Sequence, residues 1–282
     1  MPDLAVPPHD RDGRSALAVA EEAVRTAGAA IVRRLPEMTG PRSESTVRIS
    51  NKGAWNDLVT DVDREAEAAA LSVIRAQFPD DAILAEESGS RDGSTGYEWC
   101  LDPLDGTRNF ASGIPHVAVN LALARDGETL VGLTYDPVRE ELFQATLGGG
   151  TWLNGRRMHV SEETELRQCI LGFDMGYVDE QGRMLLEMLQ GLWPGLQSLR
   201  MMGSAALGMA YVAVGRIHVY ASHHNQPWDV APGLLMMREA GGMATDLQGA
   251  PAVPESGRLI AASPAVHAAF MSATEGTSWR LA

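Results

Sequence analysis

The strongest constraint on the fold of this 282-residue chain is a change of hydrophobic pattern near residue 155. Before it, three apolar runs follow one another through short turns, at 117–124, 130–135 and 142–146. The first turn contains Asp126-Gly127, a hairpin signal. Beyond Val160, predicted strands alternate with predicted helices, as in α/β proteins. The two patterns in succession predict an α/β chain, with an α+β lobe followed by an α/β lobe.

Each lobe has its own predicted elements. In the first lobe, the apolar spacing predicts helices at 15–35 and 63–78, ended by Pro36 and Pro79, and strands at 82–85 and 97–101. In the second lobe, strands are predicted at 170–173, 197–201, 217–220 and 259–262, and helices at 182–192, 204–214, 230–240 and 264–273. The predicted organisation is a flexible tail at 1–14, a first lobe at 15–155 and a second lobe at 156–282.

Composition excludes several classes of protein. Hydrophobic residues make up 45% and charged residues 21% of the chain, as in an ordinary globular protein, and no apolar run approaches the ~20 residues of a membrane helix. The N-terminus lacks the apolar stretch of a secretory signal, and Cys100 and Cys169 form no disulfide framework, so we expect a cytoplasmic protein. The net charge of −14 argues against nucleic acid as a partner.

Two carboxylates stand three residues apart after the predicted strand 97–101. Asp102 and Asp105 enclose Pro103, which fixes φ, and precede Gly106, which permits a sharp turn. Such a turn can direct both carboxylates and the intervening Leu104 carbonyl to one point. Hard cations such as Mg²⁺ take oxygen ligands of this kind. Acidic turns are also common on protein surfaces, so this segment alone indicates a metal site only weakly.

Further acidic residues add weight to the metal hypothesis. Glu86-Glu87 end a predicted buried strand, where two carboxylates would repel each other without a cation. Asp229 precedes a predicted helix, in the position of an N-cap. Asp63 begins another helix, where acidic residues are routine. Each residue has a simple structural explanation, and it is the set that favours a metal site.

Several motifs resemble those of the inositol monophosphatase family and occur in the same order. They are Asp57-Leu58-Val59-Thr60-x-x-Asp63, Ala85-Glu86-Glu87-Ser88, Trp99-x-x-Asp102-Pro103-Leu104-Asp105-Gly106-Thr107-x-Asn109-Phe110, Gly203-Ser204-Ala205-Ala206, Trp228-Asp229-x-Ala231 and Glu239-Ala240-Gly241-Gly242. Together they extend over roughly residues 50–265. The resemblance implies the layered αβαβα sandwich of the inositol monophosphatase and fructose-1,6-bisphosphatase type.

The resemblance also implies roles for individual residues. Two or three Mg²⁺ ions would be held by Glu86, Asp102, the Leu104 carbonyl, Asp105 and Asp229. Phosphate oxygens would be held by the N–H groups of Gly106 and Thr107 and by Lys52. A Thr107–Asp63 pair would act with Glu86 to orient and deprotonate the attacking water. The substrate would contact Gly203, Ser204, Ala205, Ser222, His224 and Asp229.

The activity that the resemblance implies is Mg²⁺-dependent hydrolysis of a small phosphate monoester by a metal-activated water. The expected substrate is an inositol-1-phosphate-like polyol or a sugar phosphate, and family members are commonly homodimers. Ser222 weakens the case for inositol 1-phosphate, because relatives that favour inositol phosphates often carry a glutamate at the aligned position.

Alternative substrates for the same mechanism are histidinol phosphate, fructose 1,6-bisphosphate and 3′-phosphoadenosine 5′-phosphate. The segment 221–227 contains no Lys or Arg for a second phosphate, and its His223 and His224 either contact the substrate or line a solvated loop. A non-catalytic regulatory module is the least favoured alternative, because every inferred metal ligand is present in the sequence.

Direct attack by water without a phosphoenzyme is predicted, because metal ions can ionise the water themselves; no histidine or cysteine nucleophile is required, and the acidic motifs contain neither. Rapid acid quenching of the chain during turnover of a ³²P-labelled substrate should leave the protein unlabelled. A trapped phospho-aspartate would contradict this prediction.

Overall fold

The structure is a computed structural model that describes residues 7–10, 12–52 and 57–281. The first part of the chain contains α1 (Ala16–Thr39), β1 (Ile49–Asn51), β2 (Leu58–Thr60), α2 (Asp61–Gln77), β3 (Ala82–Ala85), β4 (Gly89–Arg91), β5 (Tyr97–Asp105), α3 (Thr107–Ala111), β6 (Ala118–Arg125), β7 (Glu128–Asp136), β8 (Glu141–Thr146), β9 (Gly150–Leu153) and β10 (Arg156–Met158). The second part contains β11 (Ile170–Phe173), α4 (Asp179–Leu192), β12 (Ser198–Met201), α5 (Ala205–Ala213), β13 (Val219–Ser222), α6 (Pro227–Glu239), β14 (Met243–Thr245), β15 (Leu259–Ala262), α7 (Pro264–Ala273) and α8 (Ser278–Leu281).

The strands form two large sheets and one small hairpin. The eight-stranded sheet has the order β10-β9-β8-β7-β6-β5-β3-β4, and only β3 and β5 within it run parallel. The five-stranded sheet has the order β12-β11-β13-β15-β14, with β11 parallel to both its neighbours. Strands β1 and β2 pair separately. None of the described helices is long and apolar enough to cross a membrane.

The elements stack as five alternating layers. Helices α1 and α2 pack on one face of the eight-stranded sheet, and α6 packs on β6, β7 and β8. Helix α5 packs on α6 and also on β13 and β15 of the second sheet, while α4 and α7 share a core with the other face of that sheet. This is the predicted αβαβα arrangement, and the predicted fold class is confirmed.

Strand β6 shows why the first sheet is covered on both faces. Val119, Leu121 and Leu123 belong to the core beneath α1 and α2, whereas Ala118 and Ala122 face the layer that contains α6. Alternate side chains of a strand point to opposite faces, so a strand with apolar residues on both faces needs a layer on each side.

Helix α1 differs from the prediction at its end. Pro36 does not terminate the helix, which continues to Thr39 and ends before Gly40. The turn beyond Pro36 is stabilised by tertiary contacts, because Met38 is buried and Glu37 accepts hydrogen bonds from the backbone N–H and the hydroxyl of Thr46, each at 2.8 Å. These contacts offset the loss of the backbone hydrogen bond that Pro36, which has no N–H, cannot donate.

Other boundaries also differ from those expected. Strand β13 begins at Val219, two residues after the predicted start, and the first sheet extends through β10 to Met158, past residue 155. Residues 1–6 and 11 of the predicted tail lie outside the described residues. The described part contains a hydrogen-bonded turn, in which Asp10 Oδ1 accepts from the N–H groups of Asp12 and Arg14 at 2.9 and 2.7 Å.

Helix α6 lies unusually close to the first sheet at Gly132. A Cβ atom on Gly132 would meet Pro232 Cα at 2.8 Å and the Pro232 carbonyl oxygen at 3.1 Å. Both atoms belong to the helix backbone, which cannot rotate away as a flexible side chain can. The absence of a side chain at Gly132 therefore sets the distance between α6 and strand β7.

We predict that Gly132→Ala lowers the free energy of unfolding by about 1–3 kcal/mol, because the added methyl group overpacks this contact. Gly191→Ala is the matched control, since Gly191 is exposed in α4 with nothing within 4 Å of an added Cβ. The control should be neutral or slightly stabilising. Denaturant unfolding of both variants measures the difference, and a neutral Gly132→Ala would show that α6 adjusts freely.

Candidate active site

A small acidic cleft lies where strand β5 of the first sheet meets the first turns of α5 and α6. Its volume is about 70 Å³, and it is lined by Glu86, Asp102, Leu104, Asp105 and Asp229 together with residues of the second lobe. The strand and the two helices therefore bring residues from distant parts of the chain to one place.

Strand β5 bends at the acidic motif. Asp102 pairs with Asn120 and Asp105 pairs with Ala118, so three steps along β5 oppose two steps along β6. Such a bulge redirects the side chains that follow it. Asp102 Oδ1 accepts a hydrogen bond from the Leu104 N–H at 3.0 Å, which stabilises the bend.

The turn after β5 requires a glycine. Gly106 has φ of +94°, and a Cβ atom there would meet the carbonyl oxygens of His116 and Gly203 at 3.0 and 3.1 Å. The following Thr107 hydroxyl lies 2.9 Å from Asp63 Oδ1 and 3.0 Å from the Leu104 carbonyl oxygen. The Thr107–Asp63 contact expected from the resemblance is thus present.

Asp63 is buried at the start of α2. Its Oδ2 accepts hydrogen bonds from the Thr60 hydroxyl at 2.6 Å and the Thr60 N–H at 2.8 Å, which form a capping box. Burial raises the pKa of Asp63 to about 6, although the hydrogen bonds from Thr60 and Thr107 oppose the shift. The side chain is fixed by these donors and faces the Thr107 hydroxyl.

Lys52 bridges the two adjacent glutamates after β3. Its Nζ lies 2.7 Å from Glu86 Oε1 and 2.5 Å from Glu87 Oε1. Burial lowers the pKa of Lys52, but the two carboxylates raise it more strongly, so the net pKa lies above its usual value. Glu67, one helical turn after Asp63 on α2, accepts a hydrogen bond from the Glu87 N–H at 2.8 Å.

Asp105 is bound by the start of α5 in the second lobe. The Ser204 hydroxyl donates to Asp105 Oδ2, and the Ala206 N–H donates to the same oxygen at 2.9 Å. Burial raises the pKa of Asp105 to about 7, while the hydrogen bonds from Ser204 and Ala206 oppose this shift. This carboxylate therefore joins the two lobes at the cleft.

The sequence suggested that Asp229 is the N-cap of this helix. In the structure, Asp229 lies inside α6 instead. The N-cap is Gln226, whose N–H donates to Asp229 Oδ2 at 2.7 Å. Pro227 occupies the first helical position, which moves the start of the helix three residues ahead of the predicted Val230. Asp229 thus forms part of a capping box and still faces the cleft.

Asn120 anchors this turn of α6 to the first sheet. Pro232 has no N–H to give to the Trp228 carbonyl, and Asn120 Nδ2 donates to that oxygen at 2.7 Å and to the Asp229 carbonyl at 2.9 Å. Asn120 is fully buried, and its Oδ1 accepts from the Thr134 hydroxyl at 2.6 Å. The position of Asp229 therefore depends on an amide in the middle of strand β6.

The carboxylates of the cleft repel one another. Burial raises the pKa of Asp102 well above its usual range, and repulsion from Glu86 and Asp105 raises it further. Burial also raises the pKa of Asp229, with repulsion from Asp105 adding to the shift. A cation in the cleft would relieve this cost.

The donor set fits a hard cation. Among the described residues, no three Asp, Glu, His or Cys side chains already surround one point closely enough to hold an ion. However, five carboxylates and Leu104 line the cleft, and carboxylate and carbonyl oxygens are the ligands that Mg²⁺ takes. Asp102 and Asp229 each accept a hydrogen bond from a backbone N–H through one carboxylate oxygen, which orients both side chains.

The residues expected to contact the substrate divide into two groups. Gly203, Ser204, Ala205 and His224 line the cleft. Ser222 is not among the lining residues, because it is buried at the end of β13 and its Oγ lies 2.7 Å from Asn225 Nδ2. The structure thus corrects the predicted substrate contact at Ser222, and Asn225 lines the cleft in its place.

Several residues of the site were missed by the sequence analysis. The cleft is also lined by Arg108, Asp174, Tyr177, Tyr220 and Asn225. Two signals were available: Asn120 interrupts an apolar strand, and Glu67 stands four residues after Asp63, on the same face of a helix. The residues of the second lobe carried no such signal, because only the tertiary fold brings them to the cleft.

The comparisons with known proteins agree with this fold. Residues 12–278 match the model of the inositol monophosphatase family. The chain is 38% identical over 258 residues to the Nus factor SuhB of Escherichia coli strain K12, covering 91% of this chain and 94% of that protein. It is 37% identical over 219 residues to the fructose-1,6-bisphosphatase/inositol-1-monophosphatase of Thermotoga maritima, covering 78% and 83% respectively. The solved structure of the extragenic suppressor protein suhB from Bartonella henselae matches with a TM-score of 0.86 and 33% identity, covering 92% of this chain and 98% of that chain.

The chain therefore belongs to the inositol monophosphatase family. The resemblance found in the sequence motifs is confirmed, and so is the fold that it implied. Membership of this family supports a phosphatase activity and a dependence on a metal ion, generally Mg²⁺.

We predict that Asn120→Ala lowers the free energy of unfolding by about 2–3 kcal/mol, because it leaves the buried carbonyls of Trp228 and Asp229 without their donor. Thr134→Val is the matched control, since it removes one hydrogen bond to Asn120 and spares the contacts to α6. The control should cost about 1 kcal/mol. Denaturant unfolding compares the two variants, and equal costs would argue against the anchoring role of Asn120.

Proposed function

We propose that this chain is a Mg²⁺-dependent phosphatase that hydrolyses a small phosphate monoester by direct attack of water. The observation that carries the proposal is the convergence of Glu86, Asp102, Asp105 and Asp229 in one cleft that Thr107, the partner of Asp63, also lines. Such a cluster would not be expected at a purely structural site, because buried carboxylates that repel one another cost stability.

The metal ligands in this proposal are Glu86, Asp102, the Leu104 carbonyl, Asp105 and Asp229, which together would hold two or three Mg²⁺ ions. When bound, the ions supply positive charge for the phosphate and make a water molecule more acidic. The fixed hydrogen bonds to Asp102 and Asp229 pre-orient both carboxylates, which reduces the conformational entropy lost on binding.

The protein's own groups position the water and accept its proton. Asp63 accepts from the Thr107 hydroxyl, so the Thr107 oxygen turns its lone pairs toward the cleft and can accept a hydrogen bond from the attacking water. Glu86 lines the same cleft and is the second group that would take up a proton. Orientation of this kind is a large part of catalysis in phosphoryl transfer.

Backbone donors and one lysine would bind the phosphate. The N–H groups of Gly106 and Thr107 follow the sharp turn after β5, where Gly106 allows the backbone to approach a ligand closely. Lys52 lies at the rim, paired with Glu86 and Glu87, and would add positive charge beside the phosphate. These groups balance an otherwise strongly negative cleft.

The leaving group would lie against the second lobe. Gly203, Ser204, Ala205 and His224 line that side of the cleft, and polar groups there suit the hydroxyls of a polyol or sugar. The buried Ser222 offers no free hydroxyl to such a substrate. We therefore propose a small sugar or polyol phosphate without committing the site to inositol 1-phosphate.

A non-catalytic role is the second candidate function. It is favoured by one observation, the name Nus factor that the similar Escherichia coli protein carries. A protein that acts only by binding a partner needs no Thr107–Asp63 pair beside a metal site, so the two candidates differ in what the cleft must do.

A homodimer and a cytoplasmic location remain predictions from the sequence.

We predict that the purified chain releases phosphate from small sugar, polyol, amino-alcohol or nucleotide phosphates only when Mg²⁺ is present. Asp102→Asn should lower kcat/KM by at least about a thousandfold, because it removes a charged ligand that lies between Glu86 and Asp229. Asp126→Asn is the control, since Asp126 is exposed in a turn far along the sheet.

The outcomes separate the two candidate functions. Loss of turnover in Asp102→Asn, with full turnover in Asp126→Asn, supports the phosphatase. Preserved turnover in Asp102→Asn would overturn the ligand assignment. No phosphate release from any compound of the screen would instead favour the non-catalytic role.

A further inference from the structure

Arg108 is a charged residue within the acidic motif that the proposed mechanism does not use. It follows Thr107 directly, is half-buried in α3, and lines the cleft beside Gly106 and Thr107. Its guanidinium lies over the ring of Tyr177, with Cζ 4.7 Å from the ring centroid. This cation–π contact fixes the guanidinium at the wall of the cleft.

Arg108 also lacks an acidic partner. Within the described parts of the chain, no Asp or Glu carboxylate lies within 4.0 Å of its guanidinium, whereas Arg139 and Arg216 each form an ion pair with a neighbouring carboxylate. The Arg108 charge lowers the pKa of Asp174, against the larger effect of burial, but the hydrogen bonds to Asp174 come from the Gly203 N–H and the Tyr220 hydroxyl. An arginine whose guanidinium is paired with no carboxylate, at the edge of an acidic cleft, is available to an anion.

A second cavity begins at the same residue. It has a volume of about 290 Å³ and shares Arg108, Gly176 and Tyr177 with the cleft. The remainder of its wall includes Met175, Val178 and Leu186. Arg108 therefore lies on the wall that the cleft and this cavity share, next in sequence to the Thr107 that lines the cleft.

We propose that Arg108 binds a second anionic group of the substrate, a phosphate or a carboxylate, at the entrance to the neighbouring cavity. The preferred substrates are then phosphate monoesters that carry a second negative group. The planar guanidinium binds such groups through two parallel hydrogen bonds, and its stacking on Tyr177 leaves the edges of the guanidinium free to donate. The absence of Lys and Arg from residues 221–227 does not count against such substrates, since the positive charge comes from another element.

This inference rests on the proposed phosphatase function, and matched pairs of substrates test it. Fructose 1,6-bisphosphate and fructose 1-phosphate share the reacting phosphate and differ by a second phosphate. Likewise, 3-phosphoglycerate and glycerol 3-phosphate differ by a carboxylate. The measured quantity is the ratio of kcat/KM within each pair, for the full chain with Mg²⁺.

We expect the wild-type chain to prefer the doubly anionic member of at least one pair by about tenfold or more. Arg108→Gln should bring this ratio close to one, mainly through KM, and Arg108→Lys should restore part of it. Arg125→Gln is the matched control, because Arg125 also stacks on a tyrosine, with Cζ 5.0 Å from the Tyr97 ring centroid, but lies at the opposite end of the β5–β6 pair. The control should keep the wild-type ratio.

Four results would overturn the inference, the last of them together with the phosphatase function. Equal kcat/KM within both wild-type pairs would do so even if Arg108→Gln failed to fold. An equal fall for both members of a pair in Arg108→Gln would mean that Arg108 binds the reacting phosphate. An unchanged ratio in that variant would mean that Arg108 only holds Tyr177. Turnover of none of the four compounds, with none in the wider phosphate screen, would overturn the phosphatase function and this inference together.

Discussion

The seating of helix α6 on the first sheet is the constraint on which the site depends. Gly132 lets the helix backbone approach strand β7, and Asn120 satisfies the carbonyl that Pro232 leaves without a partner. Neither residue touches the cleft, yet together they determine where the first turn of α6 lies. Because Asp229 belongs to that turn, a packing contact in the sheet fixes the position of one inferred metal ligand.

The carboxylates of the cleft are held together against their mutual electrostatic repulsion. Burial and mutual repulsion raise the pKa of Asp102 and Asp229, and the protein offsets part of this cost with hydrogen-bond donors. The donors are local for Asp102 and Asp229, whereas for Asp105 they come from the start of α5 in the other lobe. The repulsion that remains is a cost that a bound cation would relieve.

The sequence predicted the first lobe of the site better than the second. Asp102 and Asp105 lie in strand β5 and Glu86 follows strand β3 of the same sheet, and the set of motifs, with the family resemblance that they carry, grouped these residues before the structure was known. The structure differs from the sequence predictions where tertiary contacts outweigh the local sequence signals. Pro36 predicts the end of a helix, but α1 continues beyond it because Met38 is buried there. Ser222 was predicted to contact the substrate, but at the end of β13 its hydroxyl contacts Asn225. No spacing in the sequence reveals that contact.

The hydrogen bonds of Asp105 affect the order in which the molecule loses structure and activity. Its carboxylate belongs to the first lobe, but its hydrogen-bond donors, Ser204 and Ala206, belong to the second. Asn109 makes a second connection of this kind, since its Nδ2 lies 3.1 Å from the Met202 carbonyl oxygen and 3.2 Å from that of Gly203. A small hinge opening between the lobes would therefore separate the halves of the cleft while each core stayed intact. Turnover should then be a more sensitive reporter of interlobe docking than any global unfolding signal, and inactivation by mild heat or denaturant should precede the loss of secondary structure.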